Sequence, residues 1–147
     1  MTDKGFCDIF DLLYRLGVSA NYAGFLQTAC AVELCQAEPE RLLLVTKRVY
    51  PEVARLCGTS SWNAVERNIR TACGIVWEKN RCLLERLARK PLQQKPYNAQ
   101  FLAILLYSYT EIPGGTELMD RFLPAFSRKG ASGNGEKAEK HGSKKCR

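Results

Sequence analysis

Histidine is nearly absent from this sequence, and the glycine-rich loops that bind nucleotide phosphates are missing altogether. The one histidine, His141, lies in a polar segment near the C-terminus, a poor position for activating a cysteine or serine nucleophile. Neither GxGxxG nor GxxxxGK(S/T) occurs. The carboxylates show no spacing that singles out an acid/base pair. The sequence therefore predicts a protein that is not an enzyme and needs no cofactor.

Cysteine occurs seven times but never as a CxxC pair. Zinc sites and disulfide frameworks normally show closely spaced cysteines or histidines, and the one close pair here is Cys30 with Cys35. The odd number of cysteines also argues against a complete set of disulfides. We therefore expect no metal site and no disulfide framework, with most thiols buried as small hydrophobic groups.

Long apolar runs are missing as well. No uninterrupted run approaches the roughly 18 residues that a membrane-spanning helix needs. The first five residues lack the apolar region of a secretion signal, so we expect a cytoplasmic protein that does not bind a membrane. The 147 residues, 46% of them hydrophobic, fit one ordinary globular domain.

Proline and glycine are sparse before residue 113, and apolar residues recur at helical spacing. Strand-like alternation is nearly absent, so we predict an all-α domain of about six helices over residues 1–127. Residues 128–147 contain too few apolar side chains to offset chain entropy, which predicts a disordered basic tail. The expected helices cover 6–16, 22–36, 39–49, 51–57, 62–79, 81–90 and 99–109, with an amphipathic segment over 117–126.

The ends of these helices carry recognisable signals. Gly17 and Gly58 are expected to end helices, because glycine adopts the left-handed conformation found there. Asn21 and Asn98 are expected to cap helix starts through their side-chain oxygens. The residues Thr59, Ser60 and Ser61 offer cap oxygens for the helix over 62–79.

Positive charge is concentrated in the middle of the chain. Residues 41–95 carry twelve basic and four acidic side chains, whereas residues 1–40 carry two basic and six acidic ones. A basic segment between acidic flanks is typical of a polyanion-binding face. The same distribution also suits an arginine-rich helical surface that only contacts solvent.

Residues 50–80 have the layout of a helix-turn-helix motif, in which a short helix and a glycine-containing turn precede a longer helix. On a helical wheel the longer helix has one apolar and one polar face. The apolar face contains Trp62, Val65, Ile69, Ala72, Cys73 and Val76, and the polar face contains Asn63, Arg67, Arg70, Thr71 and Gly74.

This polar face suits a recognition helix. Arginine pairs with guanine and asparagine with adenine in the major groove, so we predict base contacts from Asn63, Arg67 and Arg70. Arg70 lies nearer the edge of the face, where a phosphate contact is equally natural. Glu66 and Thr71 are expected to support the helix, Glu66 through a salt bridge with Arg70 or with a neighbouring helix. The candidates for phosphate contacts are Lys47, Arg48, Arg55, Ser61, Lys79 and Arg81.

Several segments match one known domain in the same order between Phe10 and Glu111. They are Leu16-Gly17-Val18, Gly24-Phe25, Val45-Thr46-Lys47, Val49-Tyr50-Pro51-Glu52-Val53-Ala54, Val65-Glu66-Arg67-Asn68-Ile69-Arg70, Trp77 and Lys95-Pro96-Tyr97-Asn98 with Phe101. In these segments the chain resembles the C-terminal DNA-binding effector domain of the stage zero sporulation protein A family, a response-regulator family. The TK-x-x-YP segment followed by VER-x-IR is the most specific part of the match.

The resemblance implies a six-helix domain with a helix-turn-helix that binds duplex DNA at a short TGTCGAA-like box. It also implies tandem copies on adjacent boxes, activation or repression of transcription, and contact with RNA polymerase. By this resemblance Glu66, Arg67 and Arg70 occupy recognition-helix positions.

The chain departs from the family pattern in four ways. Ala64 stands where the family usually has arginine, Thr71 stands where the family often has histidine, and the turn from Cys57 to Trp62 has one extra residue. The family also places a phosphorylatable receiver domain before this one, and residues 1–15 leave no room for it. A start at Met1 favours a free-standing relative over a copy that has lost its receiver.

These departures leave a second hypothesis open. The chain would then be an interaction module that no longer reads DNA, and that dimerises with a full-length relative and antagonises it.

Overall fold

The computed structural model describes residues 3–59 and 61–110. Over these residues the fold is all-α, as predicted, with seven α-helices and one 3₁₀ helix. In chain order the elements are α1 Asp3–Leu16, α2 Ala23–Ala37, the 3₁₀ helix Pro39–Leu44, α3 Val45–Arg48, α4 Tyr50–Cys57, α5 Trp62–Lys79, α6 Arg81–Ala88 and α7 Asn98–Thr110. The predicted tail over 128–147 and the amphipathic segment over 117–126 lie outside the described residues.

The centre of the fold is formed by α2 and α7. In α7 the six consecutive residues from Phe101 to Leu106 are all fully buried, so this helix is apolar on every side, as a helix inside a core must be. Phe101, Leu102, Leu105 and Leu106 therefore all face the interior of the fold. In the part of the chain that the structure describes, no helix is both long and apolar enough to span a membrane.

The amphipathic helix α5 lies against this centre with the bounds that the sequence predicts. Five members of its predicted apolar face are completely buried, namely Val65, Ile69, Ala72, Cys73 and Val76. The prediction fails for Trp62, which stays 40% exposed. Trp62 is the first residue of the helix and packs on the parallel ring of Tyr50, 6.5 Å away, which covers only one of its faces.

Two helix ends and one helix start follow the predicted signals. Gly17 and Gly58 come directly after α1 and α4 and have φ angles of 102° and 69°. A side chain at either position would be strained in this left-handed conformation. The hydroxyl of Ser61 accepts a hydrogen bond from the backbone N–H of Ala64 at 3.3 Å and so caps α5.

Three other local predictions are wrong, and the two asparagines among them have hydrogen-bond partners other than a helix start. The side chain of Asn21 accepts a hydrogen bond from the Ser19 hydroxyl at 2.6 Å, and α2 begins after Tyr22 without a side-chain cap. Asn98 lies within α7, and its amide group donates to atoms of α4 and α5 instead of capping the helix. The single helix expected over 39–49 is divided into the 3₁₀ helix and α3.

Three of the cysteines whose side chains the structure describes are buried free thiols, as expected for most of them. Cys30, Cys35 and Cys73 are free and buried, and Cys57 is free and half-buried. One described cysteine departs from this pattern, since Cys82 is disulfide-bonded. Within residues 3–59 and 61–110, no group of three potential metal ligands comes together.

A glycine sets the distance between α2 and α5. A Cβ atom on Gly24 would lie 2.5 Å from the carbonyl oxygen of Asn68 and 2.6 Å from the ring of Tyr22. Real side chains do not approach a backbone oxygen so closely. The two helices therefore make this backbone contact only because position 24 has no side chain.

This contact predicts opposite effects of two glycine-to-alanine substitutions. Gly24→Ala should lower the free energy of unfolding by about 1–3 kcal/mol, because α2 and α5 must move apart. Gly74→Ala is the matched control: a Cβ there meets only the Lys95 ammonium, at 3.7 Å, and should stabilise α5 by up to about 1 kcal/mol. Urea denaturation followed by circular dichroism measures both. Equal effects of the two substitutions would contradict the close contact.

Candidate nucleic-acid interface

The helix-turn-helix consists of α4, a short turn and α5. The turn begins at Gly58, and the backbone N–H of Thr59 donates to the carbonyl oxygen of Ala54 at 2.9 Å. The Ser61 cap then starts the 18-residue helix α5. The predicted phosphate ligand Ser61 therefore uses its hydroxyl oxygen within the fold, although the hydroxyl hydrogen stays available for donation.

A buried amide fixes α5 and the turn to α2. Gln27 is only 5% exposed. Its side-chain oxygen accepts a hydrogen bond from the amide of Asn68 at 3.0 Å, and its nitrogen donates to the hydroxyl of Thr59 at 2.9 Å. One side chain of α2 thus holds both the middle of α5 and the turn before it, which restricts how α5 tilts and rotates.

A second amide fixes α5 to α7. The side-chain nitrogen of Asn98 donates to the hydroxyl of Tyr50 and to the backbone carbonyl of Glu66, both at 3.0 Å. Both amide hydrogens are thereby used. Burial raises the pKa of Tyr50, so its hydroxyl remains neutral. Together with Gln27, Asn98 orients α5 from two sides of the core.

The opposite face of α5 points to solvent. Asn63, Arg67, Arg70 and Thr71 are all exposed, as the wheel predicts. Among the described residues, the side chains of Asn63 and Arg67 have no hydrogen-bond or ion-pair partner. The Thr71 hydroxyl donates to the backbone carbonyl of Arg67 at 3.0 Å, a local bond of the kind common for threonine in helices.

Arg70 is paired within the helix. Its guanidinium contacts both carboxylate oxygens of Glu66 at 2.5 Å. This bond to Glu66 raises the pKa of Arg70 above its usual value. Of the two partners expected for Glu66, the structure selects Arg70 at i+4. Because the Arg70 side chain is 54% exposed, water screens the pair, and the arginine can exchange Glu66 for another anion at small energetic expense.

The structure adds Lys95 to this face. A shallow groove beside α5 is formed by Arg70, Thr71, Gly74, Ile75, Glu78 and Lys95. The Lys95 ammonium lies 3.7 Å from the place that a Cβ would take on Gly74. Lys95 comes from the connector between α6 and α7, so a helical wheel of α5 does not reveal it. The available signal was its place in the segment Lys95-Pro96-Tyr97-Asn98, which matches the family.

Three predicted phosphate ligands precede α5 and differ in their pairing. Lys47 of α3 is exposed and makes no ion pair within the described residues. Arg48 donates to Glu38 at 3.1 Å. Arg55 of α4 is exposed and pairs with Glu52, an i,i+3 neighbour on the same helix.

The remaining two predicted phosphate ligands, Lys79 and Arg81, lie at the end of α5 and the start of α6. Lys79 is at the far end of α5, where its Cβ lies 3.2 Å from the place that a Cβ would take on Gly17. That end is about 24 Å from the start of the polar face, at 1.5 Å per residue. The guanidinium of Arg81 donates to the carbonyl oxygen of Leu92 at 2.6 Å and lies 4.1 Å from the ring centre of Trp77. Arg81 therefore has a structural role at the start of α6.

The fold and this exposed face define a helix-turn-helix domain whose second helix is oriented from the core. A family model described as "Sporulation initiation factor Spo0A C terminal" matches residues 9–108. This match covers more than half of the chain, and the chain belongs to that family. It is accordingly a DNA-binding effector domain of the kind that regulates transcription in sporulation.

The amide contacts predict different effects for two asparagines of α5. Asn68→Ala should lower the free energy of unfolding by about 1–3 kcal/mol, because the buried oxygen of Gln27 loses its donor. Asn63→Ala removes an amide from the exposed face and should change it by no more than about 0.5 kcal/mol. Urea denaturation of both variants tests this. A loss of the same size in both would show that the Gln27 contact contributes nothing.

Proposed function

We propose that this protein is a sequence-specific double-stranded DNA-binding transcription regulator that inserts α5 into the major groove. The observation that carries the proposal is the pair Asn63 and Arg67, exposed and unpartnered among the described residues on a helix that Gln27 and Asn98 orient. The major groove admits one helix, and residues near the start of that helix normally contact the bases.

The residues of α5 have distinct roles in this proposal. Asn63 and Arg67 contact base edges. Arg70 leaves Glu66 for a base or a phosphate, and Glu66 holds the guanidinium in place until then. Thr71 supports the turn of helix that carries Arg67, through its bond to the backbone.

Phosphate contacts come from both sides of α5. Lys47, Arg48 and Arg55 precede it in the chain, and Lys95 lies beside Gly74 at the groove. Lys79 and Arg81 are left out of this set, because the first lies beyond the end of the polar face, about 24 Å from its start, and the second is bound within the fold.

The proposed localisation, the binding of two copies and the contact with RNA polymerase are taken from the family. We propose a cytoplasmic regulator that binds adjacent boxes as two copies and contacts RNA polymerase. Ala64 and Thr71 stand on α5 itself, where the family usually has other residues, so the preferred box differs from TGTCGAA.

Removal of Arg67 tests base reading. We expect Arg67→Ala to weaken binding to the preferred duplex by about 1–3 kcal/mol and to relax specificity at one base position. The preferred duplex is first selected from a random pool, and fluorescence anisotropy then measures affinity. The matched control is Arg15→Ala, because Arg15 is an exposed arginine of α1 whose partner is Asp11. Equal affinity of wild type and Arg67→Ala for every duplex would reject a base-reading role.

Salt dependence tests the phosphate contacts. If Arg70, Lys47, Arg48, Arg55 and Lys95 neutralise about five phosphates, log K should fall with log salt at a slope of about −4.5. Lys47→Ala should reduce the steepness by about one and weaken binding to all duplexes alike. A slope unchanged by this substitution would remove Lys47 from the interface.

The second hypothesis predicts a different result in the same assay. An interaction module that has lost DNA reading would enrich no duplex from the random pool. It would instead retain a full-length relative in a pull-down from which DNA has been digested.

A further inference from the structure

Two free thiols meet where α2 packs against the end of α4. Cys30 lies in the middle of α2, and Cys57 is the last residue of α4, directly before the turn at Gly58. The thiol of Cys57 donates to the sulfur of Cys30, and the two sulfur atoms are 3.5 Å apart. The other two free cysteines that the structure describes, Cys35 and Cys73, are both buried.

The neighbouring contacts hold the two segments together. Gln27 lies one helical turn before Cys30, and its amide donates to Thr59, which follows Cys57 by two residues. The sulfur atoms need to approach by only about 1.5 Å to reach disulfide bonding distance. Cys30 is 5% exposed, whereas Cys57 is half-buried, so a reagent from solvent reaches Cys57 first.

We propose that Cys30 and Cys57 form a thiol-oxidation site, which a small-molecule disulfide of the glutathione type converts into a disulfide bond between α2 and the end of α4. The inference concerns residues that lie outside the exposed face of α5 and holds whether or not that face reads bases.

The reaction takes place in two exchange steps. The Cys57 thiolate attacks one sulfur of oxidised glutathione, forms a mixed disulfide and releases one glutathione thiolate. The Cys30 thiolate then attacks the Cys57 sulfur, forms the Cys30–Cys57 bond and releases the second glutathione thiolate. The protein loses two electrons and two protons, and oxidised glutathione, which accepts both electrons, becomes two molecules of reduced glutathione.

The surroundings keep the pair reduced until such a reagent acts. Burial, followed by the hydrogen bond and charge of Cys57 and the charge of Glu33, raises the pKa of Cys30 to about 12. Cys30 is therefore almost entirely protonated at neutral pH, and the second exchange step proceeds through its small thiolate fraction. Formation of the mixed disulfide on Cys57 removes the two contributions that come from Cys57, whereas the larger effect of burial on the pKa of Cys30 remains.

The bond would restrain the helix-turn-helix. It joins positions 27 residues apart in sequence, and closing a loop of this size reduces the freedom of the unfolded chain. It also fixes α2 to the residue before the turn from which α5 begins. We expect the oxidised protein to melt on the order of 5–10 °C higher than the reduced protein.

The test treats the purified full chain with oxidised glutathione after full reduction and gel filtration. Peptide mapping by mass spectrometry then identifies linked cysteines, and differential scanning calorimetry measures Tm. The expected result is a peptide that links Cys30 to Cys57, together with the rise in Tm.

Two variants make the result specific. Cys57→Ser should lose the linked peptide and show a smaller rise in Tm than the wild type, because only the Cys82 disulfide then re-forms. This half-buried position tolerates the change better than buried Cys30. Cys35→Ala removes a different cysteine of α2 and should retain both the linked peptide and the full rise in Tm. A glutathione adduct that persists on Cys57 without the linked peptide would overturn the proposal, as would an equal rise in Tm in Cys57→Ser.

Discussion

The close packing of α2 against α5 is the contact on which the rest of the interface depends. Gly24 allows the two backbones to approach at Asn68, and the buried Gln27 joins α5 and the turn through two side-chain hydrogen bonds. Because α5 is amphipathic, burial of its apolar face against the core leaves its polar face in solvent. The polar face is therefore positioned by groups on the other side of the helix.

The arginines of the proposed interface divide into those that form an ion pair with an acidic side chain among the described residues and Arg67, which does not. Most of the arginines named here have an acidic partner in the isolated chain, as the pairs Arg48–Glu38, Arg55–Glu52 and Arg70–Glu66 illustrate. Such exposed pairs are weak, because water and salt screen them. Under the proposed function they keep long side chains near the interface until phosphates replace the acidic partners. Arg67 makes no such pair within residues 3–59 and 61–110, so under the proposed function it exchanges no partner before it contacts DNA.

The sequence predicts those features that short-range interactions determine. The bounds of α5 follow from the Ser61 cap and the apolar period, and the end of α4 follows from Gly58. The sequence fails where a distant partner decides the outcome: Asn98 serves Tyr50 and Glu66 instead of its own helix. From the sequence Arg81 is predicted as a phosphate ligand, whereas in the structure its guanidinium contacts Trp77 and Leu92. Lys95 reaches the face of α5 from another segment, so no wheel of one helix contains it.

The central claim is that the exposed face of α5 enters the major groove of DNA. Its most direct test follows backbone amide signals by NMR while the duplex selected from a random pool is added to the protein. The account predicts that the largest shifts occur over residues 61–74 of the turn and α5, with small shifts in α1. Large shifts confined to α1 or α6, with α5 unaffected, would contradict it.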